Sequence, residues 1–210
     1  EKISPFSYSS RKRPELMHYA LMECQSCRTL FVEKVPDLDE LIENYVVASF
    51  DSRIESEYAA KTYGKYLSRL DLIRNRRILD IGCGDGTFLK NATSLGAESV
   101  LGIEPSHGAL EFAGEVRNSI RTIPVEQCDY QFEFDLVTCF QTLEHLVDPK
   151  MVLSKMCSAA ISGGYVAVVC HNRLSLVNRL MGRRSPIFDI EHLQMFSVEG
   201  LEKIFQSTNL

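Results

Sequence analysis

Five short apolar runs, Arg77–Ile81, Ser99–Ile103, Ile120–Val125, Asp135–Phe140 and Tyr165–Cys170, alternate with longer amphipathic segments through the last two-thirds of the chain. That succession leaves few folds open. Runs such as YVAVV are apolar on both faces, as strands are when helices cover both sides of a parallel sheet. The segments between them, Thr87–Leu95, His107–Val116 and Pro149–Ile161, carry helical end signals: Gly96 past the first, Ser106 before the second, Asp148 and Pro149 opening the third and Gly163–Gly164 closing it. The expected fold is a doubly wound, mostly parallel α/β sheet of the Rossmann-like kind.

The rest of the chain divides around that sheet. Residues 1–36 form a small segment with the basic stretch RKRP and the pair Cys24 and Cys27. Residues 37–71 read as a helical lead-in: Leu38, Leu41, Ile42 and Tyr45 follow Asp37 at helical spacing, and Ala59, Tyr63, Tyr66 and Leu70 mark a second helix over Ser52–Leu70. Residues 72–210 are the sheet domain. A chain of 210 residues with 45% hydrophobic content supports one sizeable core and a small appendage. No apolar run approaches the roughly 20 residues that span a bilayer, and the polar opening EKISPFSYSS lacks the apolar core of a signal peptide. The expected location is the cytoplasm, with no membrane partner. Seven cysteines without a regular framework read as reduced thiols. A net charge of −5 argues against a broad nucleic-acid surface.

At the end of the first strand stands ILDIGCGDGTFLK, with glycines at 82, 84 and 86. In an open α/β sheet, ligands bind beyond the carboxyl ends of the strands where strand order reverses. A dinucleotide fingerprint would place its third glycine at position 87, which is Thr87 here. Asp80 and Asp85 would also repel a diphosphate. The site suits a cation, and S-adenosylmethionine carries a sulfonium and an ammonium group with no phosphate. Glu104, at the end of the second strand, is placed to accept hydrogen bonds from ribose hydroxyls.

The stretches LDIGCGDG, GIEPS, FDLVTCFQTLEHLVDP and EHLQMFS, in this order and spacing, resemble the class I S-adenosylmethionine-dependent methyltransferases from about Ser52 onward. The resemblance implies that Asp80, Gly82, Gly84 and Gly86 face the methionine portion of the cofactor, that Glu104 holds the ribose, and that Asp129 contacts the adenine amino group. It also implies that the two strands usually completing the fold are absent, the sequence stopping at Leu210 within or just after a helix. A piece of a longer protein is expected.

Phe140, Gln141, Glu144 and His145, at the end of the fourth strand, would lie beside the transferable methyl group. His145 and His192 are the candidate bases for deprotonating an acceptor. Glu144, His145 and His192 also resemble the metal-binding set of small-RNA 2′-O-methyltransferases and of some quinone-pathway O-methyltransferases, with Gln141 where the first acid would stand. They read equally as a brace for that loop. Arg173, Arg179, Arg183 and Arg184 point to an anionic acceptor such as a nucleotide-linked sugar, or to a solvated helix face. Cys24 and Cys27 resemble the second half of a structural zinc ribbon found in a bacterial subset acting on sugars and secondary metabolites; the alternatives are core cysteines or a redox pair. The expected function is methyl transfer to a small-molecule or carbohydrate acceptor. Its rivals are a nicotinamide-dependent oxidoreductase or epimerase and a non-catalytic interaction module. Oligomeric state has no signature in the sequence.

Overall fold

Period-two alternation decides which helices each strand buries. In the computed structural model, which describes residues 17–48, 50 and 53–208, Ile78 and Leu136 face one layer of helices while Leu79 and Val137 face the other. The elements in chain order are β1 (Leu21–Glu23), β2 (Leu30–Val32), α1 (Leu38–Val46), α2 (Arg53–Arg69), β3 (Arg77–Ile81), α3 (Thr87–Ser94), β4 (Ser99–Ile103), α4 (His107–Leu110), β5 (Ile120–Arg121), β6 (Phe134–Phe140), α5 (Pro149–Ala159), β7 (Ala160–Val169), α6 (Leu176–Met181), β8 (Gln194–Met195) and α7 (Val198–Ser207). The larger sheet has the order β5-β4-β3-β6-β7, with every pairing parallel. Its order reverses at β3, so the loops after β3 and β6 diverge and leave a crevice between them.

Helices cover both faces. Leu79, Ile81, Val137 and Cys139 pack on Val152, Leu153 and Met156 of α5, with Leu201, Ile204 and Phe205 of α7 against the same cluster. Ile78 and Leu136 pack on Ala60 and Leu67 of α2 and on Phe88 and Ala92 of α3. The expected doubly wound sheet is present.

Three expected elements differ. The third strand was expected over Ile120–Val125 and stops at Arg121; Pro124 has no N–H for a ladder, and Val125–Gln127 turn into a 3-10 segment. The helix expected over His107–Val116 ends at Leu110, and a 3-10 segment follows from Gly114, whose φ is +55°. Gly163 and Gly164 do not close a helix. They lie within β7, which starts directly after α5, and the register jumps there from Phe134↔Ala160 to Leu136↔Tyr165. A Cβ on Gly164 would meet the Ile161 and Asp135 carbonyl oxygens at 2.9 and 3.2 Å, so this bulge needs a bare backbone.

The amino-terminal hairpin joins the main body. β1 and β2 pair antiparallel, and β2 pairs antiparallel with β8, giving a second sheet of three strands. Val32, Leu41, Ala48 and Leu193 share one small core, so hairpin, lead-in helix and the stretch before α7 pack together. The basic cluster Arg11–Arg13 and the expected helix start at Ser52 lie outside the described residues.

Gly86 locks the start of α3. It has φ +70°, and a Cβ there would come within 2.7 Å of Val116 Cγ2 and 3.0 Å of Ile120 Cδ1. Gly86→Ala combines left-handed strain with overpacking and should cost about 2 kcal/mol. Thermal unfolding is expected to shift down by roughly 4–8 °C; an unchanged melting temperature would contradict this packing.

Candidate functional site

A cavity of about 580 Å³ opens where the sheet forks. The loop after β3 lines it with Asp80, Gly82, Cys83, Gly84 and Asp85, the end of β4 with Glu104, and the end of β6 with Phe140, Gln141 and His145. α1, Phe50 and α2 form the remaining wall, contributing Leu41, Ile42, Tyr45 and Tyr63 among others.

At one end two carboxylates meet. Asp80 is buried, and its Oδ1 accepts a 2.7 Å hydrogen bond from the Thr138 hydroxyl on β6. Burial raises its pKa to about 7; the Thr138 bond opposes the shift and the Glu104 charge adds to it. Glu104 accepts from the Gly84 N–H at 3.0 Å and from the Ser106 N–H at 2.8 Å. Burial pushes its pKa up too, against those two bonds. The site is thus rich in acceptors and short of positive charge, and no lysine or arginine lines the cavity among the described residues.

The three loop glycines have different work. Gly84 has φ +54°, and a Cβ there would meet only Phe50, at 3.7 Å, so its backbone faces open space where a ligand can approach. Gly82 lies against Thr142, whose Oγ1 would be 2.2 Å from a Cβ, and Gly86 packs inward. Asp85 accepts from the Thr87 N–H at 3.0 Å, satisfying the first backbone donor of α3, whose N-cap is Gly86. Phe140 is fixed between Tyr63, at 4.5 Å, and Phe88, edge-on at 5.0 Å. Cys83 lines the cavity, but burial raises its thiol pKa well above the ordinary value, which removes it as a nucleophile. Asp129 stands outside the cavity, exposed on the short segment before β6; Val125 and Glu126 line the wall instead, because the 3-10 turn there points them inward.

At the other end Glu144, His145 and His192 place one ligand atom each within 4.8 Å of one another. His145 reaches the cavity and the other two stand behind it. The imidazoles of His145 and His192 lie 4.8 Å apart, and His171 sits edge-on to His192 at 5.7 Å. His192 Nδ1 is 2.7 Å from the Ile187 carbonyl. A carbonyl only accepts, so that nitrogen carries the proton and Nε2 keeps a free lone pair. Glu144 is buried, and its Oε2 has no hydrogen-bond partner among the described residues; the same holds for Gln141 Oε1. Gln141 has φ +52°, a strained conformation for a side chain of its kind. An orphaned carboxylate oxygen of Glu144 beside two imidazoles fits a divalent cation.

His145 is poorly suited to the role of base expected from the sequence. Burial, with the neighbouring imidazoles of His192 and His171, pushes its pKa down to about 3. A group that releases its proton so readily is a weak base at neutral pH. Its Nδ1 lies 3.2 Å from the Tyr45 hydroxyl and 3.1 Å from the Glu191 carbonyl. The 3.7 Å approach of the Glu191 carboxylate makes no ion pair, since the ring is neutral.

The sequence matches the methyltransferase domain family over residues 52–210. The chain belongs to that family. This methyltransferase domain is 38% identical over 109 residues to a ubiquinone biosynthesis O-methyltransferase of Alkalilimnicola ehrlichii, covering 48% of this chain and 44% of that protein. It is 34% identical over 110 residues to the enzyme of the same name from Bordetella avium, covering 48% and 45%. It therefore spans less than half the length of each of those curated relatives in the matched region. The plantazolicin methyltransferase BpumL, solved in complex with SAH, shares the fold with a TM-score of 0.60 at 19% identity, over 83% of this chain and 70% of that one. Family membership identifies S-adenosylmethionine as the cofactor and removes the nicotinamide-dependent alternative.

Other expectations change in the methyltransferase domain. Cys24 and Cys27 have no third histidine, cysteine or carboxylate ligand grouped with them among the described residues. Backbone N–H groups of Cys27 and Ser26 lower the Cys24 pKa, and all seven cysteines are free. None of the four arginines lines the cavity. Arg173 instead bonds Glu23 and the Arg28 carbonyl, tying the hairpin down. Tyr45, Tyr63, His171, Glu126 and Glu191 line the cavity without having been picked from sequence. His171 was within reach of the carboxyl-end rule, standing two residues past β7.

An Asp80 that holds the cofactor ammonium must be ionised, and its raised pKa makes that state pH-dependent in the accessible range. A carboxyl whose folded pKa is raised favours the folded apo protein below its unfolded pKa, and that contribution is lost as pH climbs toward 7. Cofactor binding runs the opposite way: affinity should weaken below pH 7 by up to about tenfold per unit. Calorimetric titrations from pH 5 to 7 should show this slope and Asp80→Asn should flatten it; a pH-independent affinity would refute the assignment. Glu104→Ala should weaken binding roughly 10–100-fold.

Proposed function

We propose that this domain transfers the methyl group of S-adenosylmethionine to a hydroxyl of a small, largely apolar acceptor. One cavity joins the carboxylate-lined cofactor end to an apolar chamber of Leu38, Leu41, Ile42, Tyr45, Leu146 and Val147, with His145 at the junction. That continuity carries the reading. The relatives named as O-methyltransferases support oxygen as the acceptor atom. An anionic sugar is the weaker reading, because no lysine or arginine among the described residues lines the wall to pair with it.

The chain's own residues supply orientation and an apolar wall. Asp80 holds the ammonium, Glu104 accepts from the ribose while its bonds to Gly84 and Ser106 keep it in place, and Phe140 fixes the floor between Tyr63 and Phe88. α1 lines the acceptor chamber with the apolar side chains of Leu38, Leu41 and Ile42, which would orient an apolar acceptor toward the cofactor end. The acceptor proton must leave, and neutral His145 does not take it. Glu144, His145 and His192 would hold a divalent cation. A cation bound there supplies Lewis acidity that lets the acceptor hydroxyl ionise near neutral pH.

The test is S-adenosylhomocysteine release with hydroxylated aromatic acceptors, together with Mn²⁺ binding followed by electron paramagnetic resonance. Glu144→Gln and His192→Ala should each weaken Mn²⁺ binding and turnover on the order of 100-fold, with cofactor affinity kept. Turnover untouched by chelation and by both variants would remove the metal from this account. No product from any hydroxylated acceptor, with cofactor bound, would favour the interaction-module reading.

A further inference from the structure

The segment after β7 turns the usual amphipathic logic inside out. In α6 and the 3-10 turn Gly182–Arg184 that follows it, Leu176 is 71% exposed, Val177 63%, Leu180 79% and Met181 43%. Leu180 and Leu176 are the two most exposed large apolar side chains among the described residues. The groups turned inward are polar. Ser185 is fully buried and donates to Asn178 Oδ1 at 2.7 Å, while Asn178 Nδ2 donates to the Asn172 carbonyl at 2.7 Å. Ser175 caps the helix by accepting from the Asn178 N–H. A polar anchor therefore holds this helix with its apolar side facing out, an arrangement that costs hydration unless something covers it.

Charge says what that something is. Residues 171–188 contain four arginines and no aspartate or glutamate, in a chain whose net charge is −5. Arg173 is held by Glu23, but Arg179, Arg183 and Arg184 are exposed and flank the apolar side chains. Exposed leucines ringed by arginines match an anionic lipid surface, where the apolar groups enter the acyl boundary and the long guanidinium side chains reach the headgroups. A protein partner of the same chemistry would need acidic groups around an apolar groove, and a second copy of this patch would bring like charges together. We propose that α6 and the Arg183–Arg184 turn dock the protein on anionic bilayers. No helix among the described residues is long and apolar enough to cross a membrane, and peripheral docking needs none. The expectation of no membrane partner rested on the lack of a spanning apolar run and of a signal-peptide core, neither of which bears on peripheral docking. The segment begins at His171, which lines the cavity, so docking would place the acceptor chamber near the lipid surface.

Co-sedimentation with phosphatidylglycerol-containing vesicles tests this, with pure phosphatidylcholine vesicles as the comparison. The protein should pellet with the anionic vesicles, stay in solution with the neutral ones, and be released by high salt. Leu180→Glu should weaken binding at least tenfold, and Arg183→Glu with Arg184→Glu roughly 25-fold. Both variants alter exposed side chains, and unchanged thermal unfolding and cofactor titration would show them folded. Failure to pellet with anionic vesicles, equal binding to neutral ones, or binding undiminished in both variants would each overturn the proposal. A dimer abolished by Leu180→Glu, without vesicle binding, would overturn it in favour of a self-interface. Vesicle binding is read without turnover, so its failure leaves the methyl-transfer reading standing.

Discussion

Asp80 is a carboxylate with almost no water around it, set at the fork of the sheet and tied by Thr138 to the neighbouring strand. Its seat favours a proton or a cation and disfavours bare negative charge. Glu104 reinforces that preference from the next strand and also takes the Gly84 N–H. In a phosphate-binding loop that backbone N–H would be offered to the ligand. Here it is already bonded to a carboxylate, so the loop presents acceptors where a dinucleotide site presents donors. The choice between a sulfonium cofactor and a pyrophosphate is therefore made by hydrogen bonding inside the loop as well as by net charge.

The two ends of the cavity are built in different ways. The cofactor end is local: β3, its loop and the end of β4 lie within about thirty residues and meet through parallel pairing. The acceptor end is assembled from distant segments. Leu193 donates to the Glu144 carbonyl, Val32 donates to the Leu193 carbonyl, and β2 pairs with β8 just beyond His192. The Ser197 hydroxyl and Lys203 add bonds to Cys27 and Ser26 of the hairpin. His192 thus depends for its place on contacts with the hairpin more than 150 residues earlier. The Cys24–Cys27 hairpin acts here as a clamp on the acceptor side, with no metal needed for that work.

That difference explains what could be read from the sequence. β3 and β4 were placed to the residue, because a five-residue run with three apolar side chains, bounded by a glycine loop or a proline, leaves little freedom. Asp80, Gly84 and Glu104 followed from their position at strand ends, and all three line the cavity. Gly86 was grouped with them by spacing alone, although its job is to admit Val116 and Ile120. Asp129 was misplaced because a 3-10 turn rotates Glu126 inward, and a strand reading cannot foresee that rotation. Tyr45 and Tyr63 carried helical periodicity, which marks a buried face without saying whether protein or ligand covers it. The three-histidine cluster needed the third dimension, since His145, His171 and His192 come from three separate loops.

Within that cluster the replacement of an acid by Gln141 changes which cation suits it. Glu144 provides the only negative charge among the candidate ligands; His145 and His192 provide nitrogen, and Gln141 at most a neutral oxygen. Mg²⁺ favours several anionic or water oxygens in strict octahedral geometry. Two imidazoles and one carboxylate form a set that cations accepting nitrogen tolerate better. At His145, burial and the neighbouring imidazoles lower the proton affinity. A histidine that stays neutral across the working pH range keeps its lone pair for coordination. The residue that looked like a base in the sequence is therefore better suited, in this environment, to be a ligand.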